Sequence, residues 1–236
     1  MALSALLRIP FLQTSLRGLE ELFFPPRCQV CGRALCRNEV HICTPCLGEM
    51  PFLPSASTSL PALLEKYRGE GGPEQLFVLF YYDRYDLYKN LLYHIKYDAK
   101  RSLAFTLGTL LGKNIAEFCS ADCIIPIPLH PKRERARGYN QALEIARGVA
   151  RELGIEMLDD VIVRIHHSES QTGKGTFERR NNVAGVFRLL EPERIRGRHI
   201  LLLDDVVTTG ATMASCMETL SAAGDVQFSL ACLARI

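Results

Sequence analysis

Apolar positions along this chain fall into short runs that alternate between two periods. Residues 76–82 are continuously apolar and aromatic, which predicts a strand. Residues 87–97 and 103–118 carry apolar side chains at helical spacing. Residues 123–129 read as a buried strand with prolines near its end, and residues 141–153 as a helix stopped by Gly154. A short strand over 161–165 follows, then a central strand over 200–203. A helix over 211–223 stopped by Gly224 and a last strand over 228–233 complete the pattern. Strands alternating with helices predict an α/β fold with a mostly parallel sheet.

The first part of the chain differs. Leu16, Leu19, Leu22 and Phe23 recur at helical spacing after Thr14 and Ser15, and Pro25 and Pro26 end that helix. Pro51, Pro54 and Pro61 with Ser55, Ser57 and Ser59 read as a linker, and residues 65–73 as a second break. The chain is therefore read as an N-terminal helix and small module over 1–60, followed by an α/β domain over 61–236.

Composition narrows the class. The chain has 236 residues, 47% hydrophobic and 23% charged, with a net charge of +2, which suits a globular protein and argues against a uniform nucleic-acid coat. No apolar run approaches the ~18 residues of a membrane span. The leucine-rich N-terminus is broken by Arg8, Pro10, Gln13, Arg17 and Glu20, so it is read as mature protein and not as an export signal.

The most specific chemistry lies in the thirteen residues 200–212. Four apolar residues run into Asp204 and Asp205, and a Thr208-Thr209-Gly210-Ala211-Thr212 turn precedes a helical pattern. Ligands of open α/β sheets bind at the carboxyl ends of strands. Two carboxylates there accept hydrogen bonds from vicinal hydroxyls, and a glycine turn at a helix N-terminus favours a phosphate. Threonine caps after an Asp-Asp turn account for either half separately. The joined pattern suits a ribose with free hydroxyls and a 5-phosphate.

Two basic segments fit such a ligand. Lys132, Arg133, Arg135 and Arg137 place four cations in a loop after the second strand, and arginine grips phosphate oxygens in pairs. Residues 170–187 are polar and carry Lys174, Arg179 and Arg180. They read either as an ordinary surface loop or as a basic lid over a reacting centre. The basic loop also suits a nucleic-acid backbone.

Nine cysteines are present, five of them between positions 28 and 46. Cys28 with Cys31, and Cys43 with Cys46, form two CxxC knuckles, which is the thiolate set of a structural Zn²⁺ site. Cys36 and His41 lie between the pairs as alternative ligands. The spacing and the lack of an export signal favour a reducing, cytoplasmic setting.

Residues 200–212 resemble the phosphoribosyl-pyrophosphate motif of the type I phosphoribosyltransferases. The resemblance implies that Asp204 and Asp205 are the catalytic pair holding the ribose hydroxyls. It implies that Thr208, Thr209, Gly210, Ala211 and Thr212 wrap the 5-phosphate, and that Mg²⁺ rides on the ligand's pyrophosphate. Arg133, Arg137, Lys174 and Arg180 become the candidate pyrophosphate-binding residues. Members acting on 6-oxopurines carry an aspartate where this chain has Thr208, which speaks against hypoxanthine or guanine as acceptor. The order of the whole chain is similar to the ComF/GntX-type family of competence-associated proteins. The matching pieces are Phe24-Pro25-Pro26-Arg27-Cys28, Ile95-Lys96-Tyr97, Ile127-Pro128-Leu129-His130-Pro131 with Arg137-Gly138-Tyr139-Asn140-Gln141, Gln171-Thr172 with Arg180-Asn181-Asn182, and the motif itself. That resemblance implies a type I phosphoribosyltransferase core with a small zinc-ribbon-like module, and a cytoplasmic role in DNA uptake during natural transformation. Phosphoribosyl pyrophosphate or a nucleotide is the implied ligand, with single-stranded DNA and a DNA-uptake helicase as further partners. Transfer of ribose 5-phosphate and non-catalytic nucleotide sensing both remain open at this point.

Overall fold

The apolar run that ends in two acids lies at the centre of a five-stranded sheet. The computed structural model describes residues 24–53, 72–82, 86–165 and 185–235. The expected helix around Leu19, most of the linker, and Lys174, Arg179 and Arg180 lie outside them. The described residues divide into two units, one ending at Met50 and one starting at Pro51.

In the larger unit the main sheet has strands β1 (Pro73–Tyr81), β2 (Cys123–Pro126), β3 (Glu156–Met157), β6 (His199–Val207) and β7 (Gln227–Arg235). Their order is β1-β7-β6-β2-β3, and every pairing is parallel. Ile200, Leu201, Leu202 and Leu203 are fully buried, as a strand covered on both faces and both edges requires. The helices are α1 (Thr44–Gly48) in the smaller unit, then α2 (Lys89–Tyr97), α3 (Arg101–Ile115), α4 (Pro131–Arg137), α5 (Gln141–Leu153) and α6 (Ala211–Leu220).

Four local readings change. The segment over 161–165 joins no parallel sheet. Its strand β4 (Ile162–Arg164) pairs antiparallel with β5 (Phe187–Leu189), which the sequence pattern did not announce. The central strand continues to Val207, because β7 runs alongside it as far as Arg235 and keeps its backbone paired. The basic loop after β2 is a helix, α4. Pro131 starts it, the His130 ring accepts from Lys132 N at 3.2 Å, and Gly138 ends it at φ 80° while donating to Glu134 O. Pro51 and Leu53, expected to open a linker, hydrogen-bond to β1 through Tyr81 N and Leu79 O.

α3 and α5 cross at glycines. A Cβ at Gly148 would stand 2.3 Å from Phe105 O and 2.6 Å from Thr109 N, and one at Gly108 would stand 2.1 Å from Ile145 O. These neighbours are backbone, so only helix separation relieves the clash. Gly148→Ala is expected to destabilise the larger unit by about 1–3 kcal/mol or more. Guanidinium unfolding reads this as a lower midpoint, and a wild-type midpoint would contradict the crossing.

Asn140 links this layer to the site. Its side chain caps α5 by accepting from Ala142 N at 3.1 Å and donates to Ile127 O at 3.2 Å, just past β2.

Candidate functional site

Asp204 and Asp205 lie within the last turns of pairing of β6, so the pleat sends them to opposite faces. Asp205 points toward α2, where its Oδ2 is 3.1 Å from Lys96 Nζ, and both side chains are mostly buried. Tyr82 lies in the field of the same pair, and burial raises its phenol pKa. Asp204 shares its face with Arg164 of β4 and with Cys216 of α6. Its Oδ1 accepts from Asp205 N at 2.8 Å. Burial first, and then the negative charge of Asp205, push the Asp204 carboxyl up to about 7, against the opposing pull of Lys96 and Arg164.

Beyond Val207 the chain turns through exposed Thr208 and Thr209 into Gly210, at φ 81°. A left-handed residue is needed here to enter α6, and glycine takes it without strain. No side chain caps α6 at Gly210. Thr209 Oγ1 reaches only Ala211 N, at 3.4 Å. The N–H groups of the first turn and the helix dipole therefore face a turn of small hydroxyl residues, an arrangement that holds an anion.

The expected cations divide. Arg133 of α4 lies close enough to Arg164 that, after burial, it is the next cause depressing the Arg164 pKa. Arg137, at the end of the same helix, donates to Gln141 Oε1 at 2.8 Å. The structure adds two cations that sequence reasoning did not assign to the site, Lys96 and Arg164. Arg164 packs its guanidinium 5.4 Å from the Phe187 ring centroid across the β4–β5 pair. Its signal was available as a single cation among Val161, Ile162, Val163 and Ile165. Lys96 was visible only as part of the Ile95-Lys96-Tyr97 piece.

In the smaller unit the CxxC four do meet. Cys28, Cys31, Cys43 and Cys46 bring their Sγ atoms within 4.8 Å of one another, and Cys36 and His41 stand outside this group. The Cys31–Cys43 Sγ separation is 3.8 Å. A tetrahedron with metal–sulfur bonds of about 2.3 Å has edges of about 3.8 Å, so the spacing fits a single bound metal ion. Gly32 N bonds back to Cys28 O at 2.9 Å, and Cys43 N donates to Cys28 Sγ at 3.3 Å. Burial opposes a Cys28 thiolate, yet the N–H groups of Cys31, Cys43 and Val30 outweigh it and hold the thiol at about 6. Glu39 braces the loop by accepting from Cys36 N and Thr44 N at 2.8 and 2.6 Å. These bonds hold its carboxyl down at about 2. Among the described residues, this is the group of three or more metal-ligating side chains brought together.

Comparison with known proteins agrees with this architecture. The phosphoribosyl transferase domain family matches residues 140–235. The DNA utilization protein YhgH of Salmonella typhimurium is 30% identical over 217 residues, covering 88% of this chain and 89% of its own. The chain belongs to the ComF/YhgH family. Competence protein F of Haemophilus influenzae is 29% identical over 217 residues, covering 89% of this chain and 85% of its own. Competence protein ComFC of Streptococcus pneumoniae is 26% identical over 136 residues, 58% of each chain. Among the described residues, no helix is long and apolar enough to cross a membrane.

Proposed function

We propose that this protein binds 5-phosphoribosyl-1-pyrophosphate at the carboxyl end of β6 and transfers ribose 5-phosphate to an acceptor, in the service of DNA uptake. The observation that carries this reading is the sequence of acid pair, threonine–glycine turn and α6 N-terminus, with Arg164 near Asp204 and Arg133 near Arg164. The names DNA utilization protein and competence protein borne by relatives support the cellular setting.

In this reading Asp204 and Asp205 accept hydrogen bonds from the ribose hydroxyls, and Lys96 gives up Asp205 as the sugar arrives. Thr208, Thr209, Gly210, Ala211 and Thr212 cradle the 5-phosphate with the first turn of α6. Arg133, Arg137 and Arg164, joined by Lys174 and Arg180, face the pyrophosphate. The bond from C1 to pyrophosphate breaks with its electron pair leaving on the pyrophosphate, whose growing charge the guanidiniums neutralise. The acceptor's lone pair forms the new bond to C1, and its proton passes to solvent or to the released pyrophosphate. The two carboxylates are hard oxygen ligands suited to Mg²⁺, and magnesium would supply charge neutralisation, held mainly by the ligand's own pyrophosphate and hydroxyls. Zinc is the metal assigned to the four thiolates.

Calorimetric titration of phosphoribosyl pyrophosphate, with and without Mg²⁺, is expected to give saturable one-to-one binding that Mg²⁺ strengthens. A screen of acceptors for pyrophosphate release then separates transfer from sensing. Absence of binding under both conditions would sink the reading, and binding without release for any acceptor would retain the ligand and discard the transfer.

A further inference from the structure

Lys96 is not among the cations assigned to the pyrophosphate. Its Nζ stands 3.1 Å from Asp205 Oδ2, and the two side chains are only 23% and 14% exposed. When ribose hydroxyls take Asp205, this ammonium is left in a mostly buried place without its counter-charge. Breaking such a pair is costly unless another anion takes over.

The fold fixes Lys96 where it stands. α2 buries Leu91, Leu92 and Ile95 against the core. Tyr139, itself buried, donates its hydroxyl to Ile95 O at 2.6 Å. Arg101 donates to Gly138 O and lies 5.2 Å from the Tyr139 ring centroid, so a second cation adds to the positive field around α2. The neighbouring acids have partners of their own. Glu144 pairs with Arg147 at 2.8 Å, and Asp98 bonds His94 at 2.6 Å. Tyr82 lies in the field of Lys96 and Asp205, and burial raises its phenol pKa, so its hydroxyl remains a donor at neutral pH.

The two acids divide the cations between the faces of the sheet. Arg164, with Arg133 near it, accompanies Asp204, and Lys96 accompanies Asp205. The pyrophosphate goes to the arginines, which grip phosphate oxygens in pairs. A single displacement at C1 brings the nucleophile in from the side opposite the leaving group. The Asp205 side is then the acceptor's side, and it offers an ammonium and a phenol hydroxyl. These are one charged and one neutral donor, one for each oxygen of a carboxylate. The ammonium already holds a carboxylate, so the exchange is like for like. A neutral acceptor would leave Lys96 uncompensated. We infer that the acceptor of ribose 5-phosphate carries a carboxylate, which Lys96 binds in exchange for that of Asp205. The carboxylate docks and does not react. Another atom of the acceptor gives its lone pair to C1 as the bond to pyrophosphate breaks with its electron pair, and the acceptor's proton passes to solvent. The inference rests on binding of phosphoribosyl pyrophosphate at this site and adds the class of its acceptor.

Calorimetric titration of the full chain, saturated with phosphoribosyl pyrophosphate and Mg²⁺, tests it. Two isosteric pairs serve as probes, benzoate with benzamide and imidazole-4-carboxylate with imidazole-4-carboxamide. At least one acid is expected to bind about tenfold or more tightly than its amide, the ratio that one charged hydrogen bond carries. Lys96→Met should bring the members of that pair within about twofold of each other, and Lys96→Arg should keep most of the preference. Tyr82→Phe should lower the ratio by about threefold. Failure to bind phosphoribosyl pyrophosphate at all discards the sugar-phosphate reading and the acceptor class with it. Binding of phosphoribosyl pyrophosphate with no preference for either acid overturns the acceptor class alone, as does a preference that survives Lys96→Met. Should Lys96→Met fail to fold, Tyr82→Phe decides, and an unchanged ratio overturns the inference.

Discussion

Asparagine at both Asp204 and Asp205 is expected to abolish binding of phosphoribosyl pyrophosphate at any concentration calorimetry can reach. Each carboxylate offers a charged acceptor to a ribose hydroxyl, and such bonds are worth roughly 1.5–3 kcal/mol. Two of them correspond to a loss on the order of 10²- to 10⁴-fold in affinity. The single variants should differ in character. Asp205→Asn also releases Lys96, which stands 3.1 Å from the carboxylate, so the new cation near the sugar offsets part of the loss. Asp204→Asn should change the pH dependence. Burial and the charge of Asp205 hold the Asp204 carboxyl at about 7. The accepting, ionised form therefore gains population as pH rises through that value. Wild-type affinity is expected to climb between about pH 6 and pH 8, with proton release on binding, and Asp204→Asn to flatten that climb. The fold should not suffer, since the substitution removes one of two like charges and its amide oxygen can still accept from Asp205 N. Thermal unfolding of Asp204→Asn at or above the wild-type midpoint checks this. Wild-type binding in the double variant would discard the site.

Removal of metal is expected to unfold the smaller unit while leaving the larger one intact. Among the described residues its buried apolar side chains are few, Val30, Ile42 and Met50 beside the cysteines Cys28, Cys43 and Cys46. That core is too small to hold a chain of this length without a staple. A structural zinc contributes on the order of 10–16 kcal/mol of apparent folding energy, far more than those side chains supply. Chelation, or Cys43→Ser, should erase amide exchange protection over residues 24–50 and leave that of β6 and β7 unchanged. Metal analysis of the untreated protein should find about one zinc per chain. Retained protection over 24–50 in the presence of a strong chelator would reject the metal-centred account.

The elements that sequence patterning recovered are those with many repeats of one period. α5 agrees over 141–153 because its apolar positions repeat through more than three turns and Asn140 and Gly154 mark both ends. β3 was missed because two residues carry no period and β5 because three carry little, whereas β4 was read within 161–165 but not its antiparallel pairing. α4 was read as a loop because its charges outweighed its punctuation. Pro131 at the start and Gly138 past the end are nevertheless the marks of a short helix.

Strand, acid pair, turn and helix start were legible in one window because they are contiguous in the chain and each follows from local backbone geometry. The two knuckles were legible for the same reason, each being a local turn. The rest of the site was not. Lys96 meets Asp205, and Arg164 meets Asp204 and Arg133, across stretches of chain that no local pattern spans. Those meetings depend on which helix face packs on which side of the sheet, and on how far β6 remains paired before it turns. Packing and pairing are properties of elements assembled against one another, so the partners of the two acids became visible only once the sheet and its helices were in place.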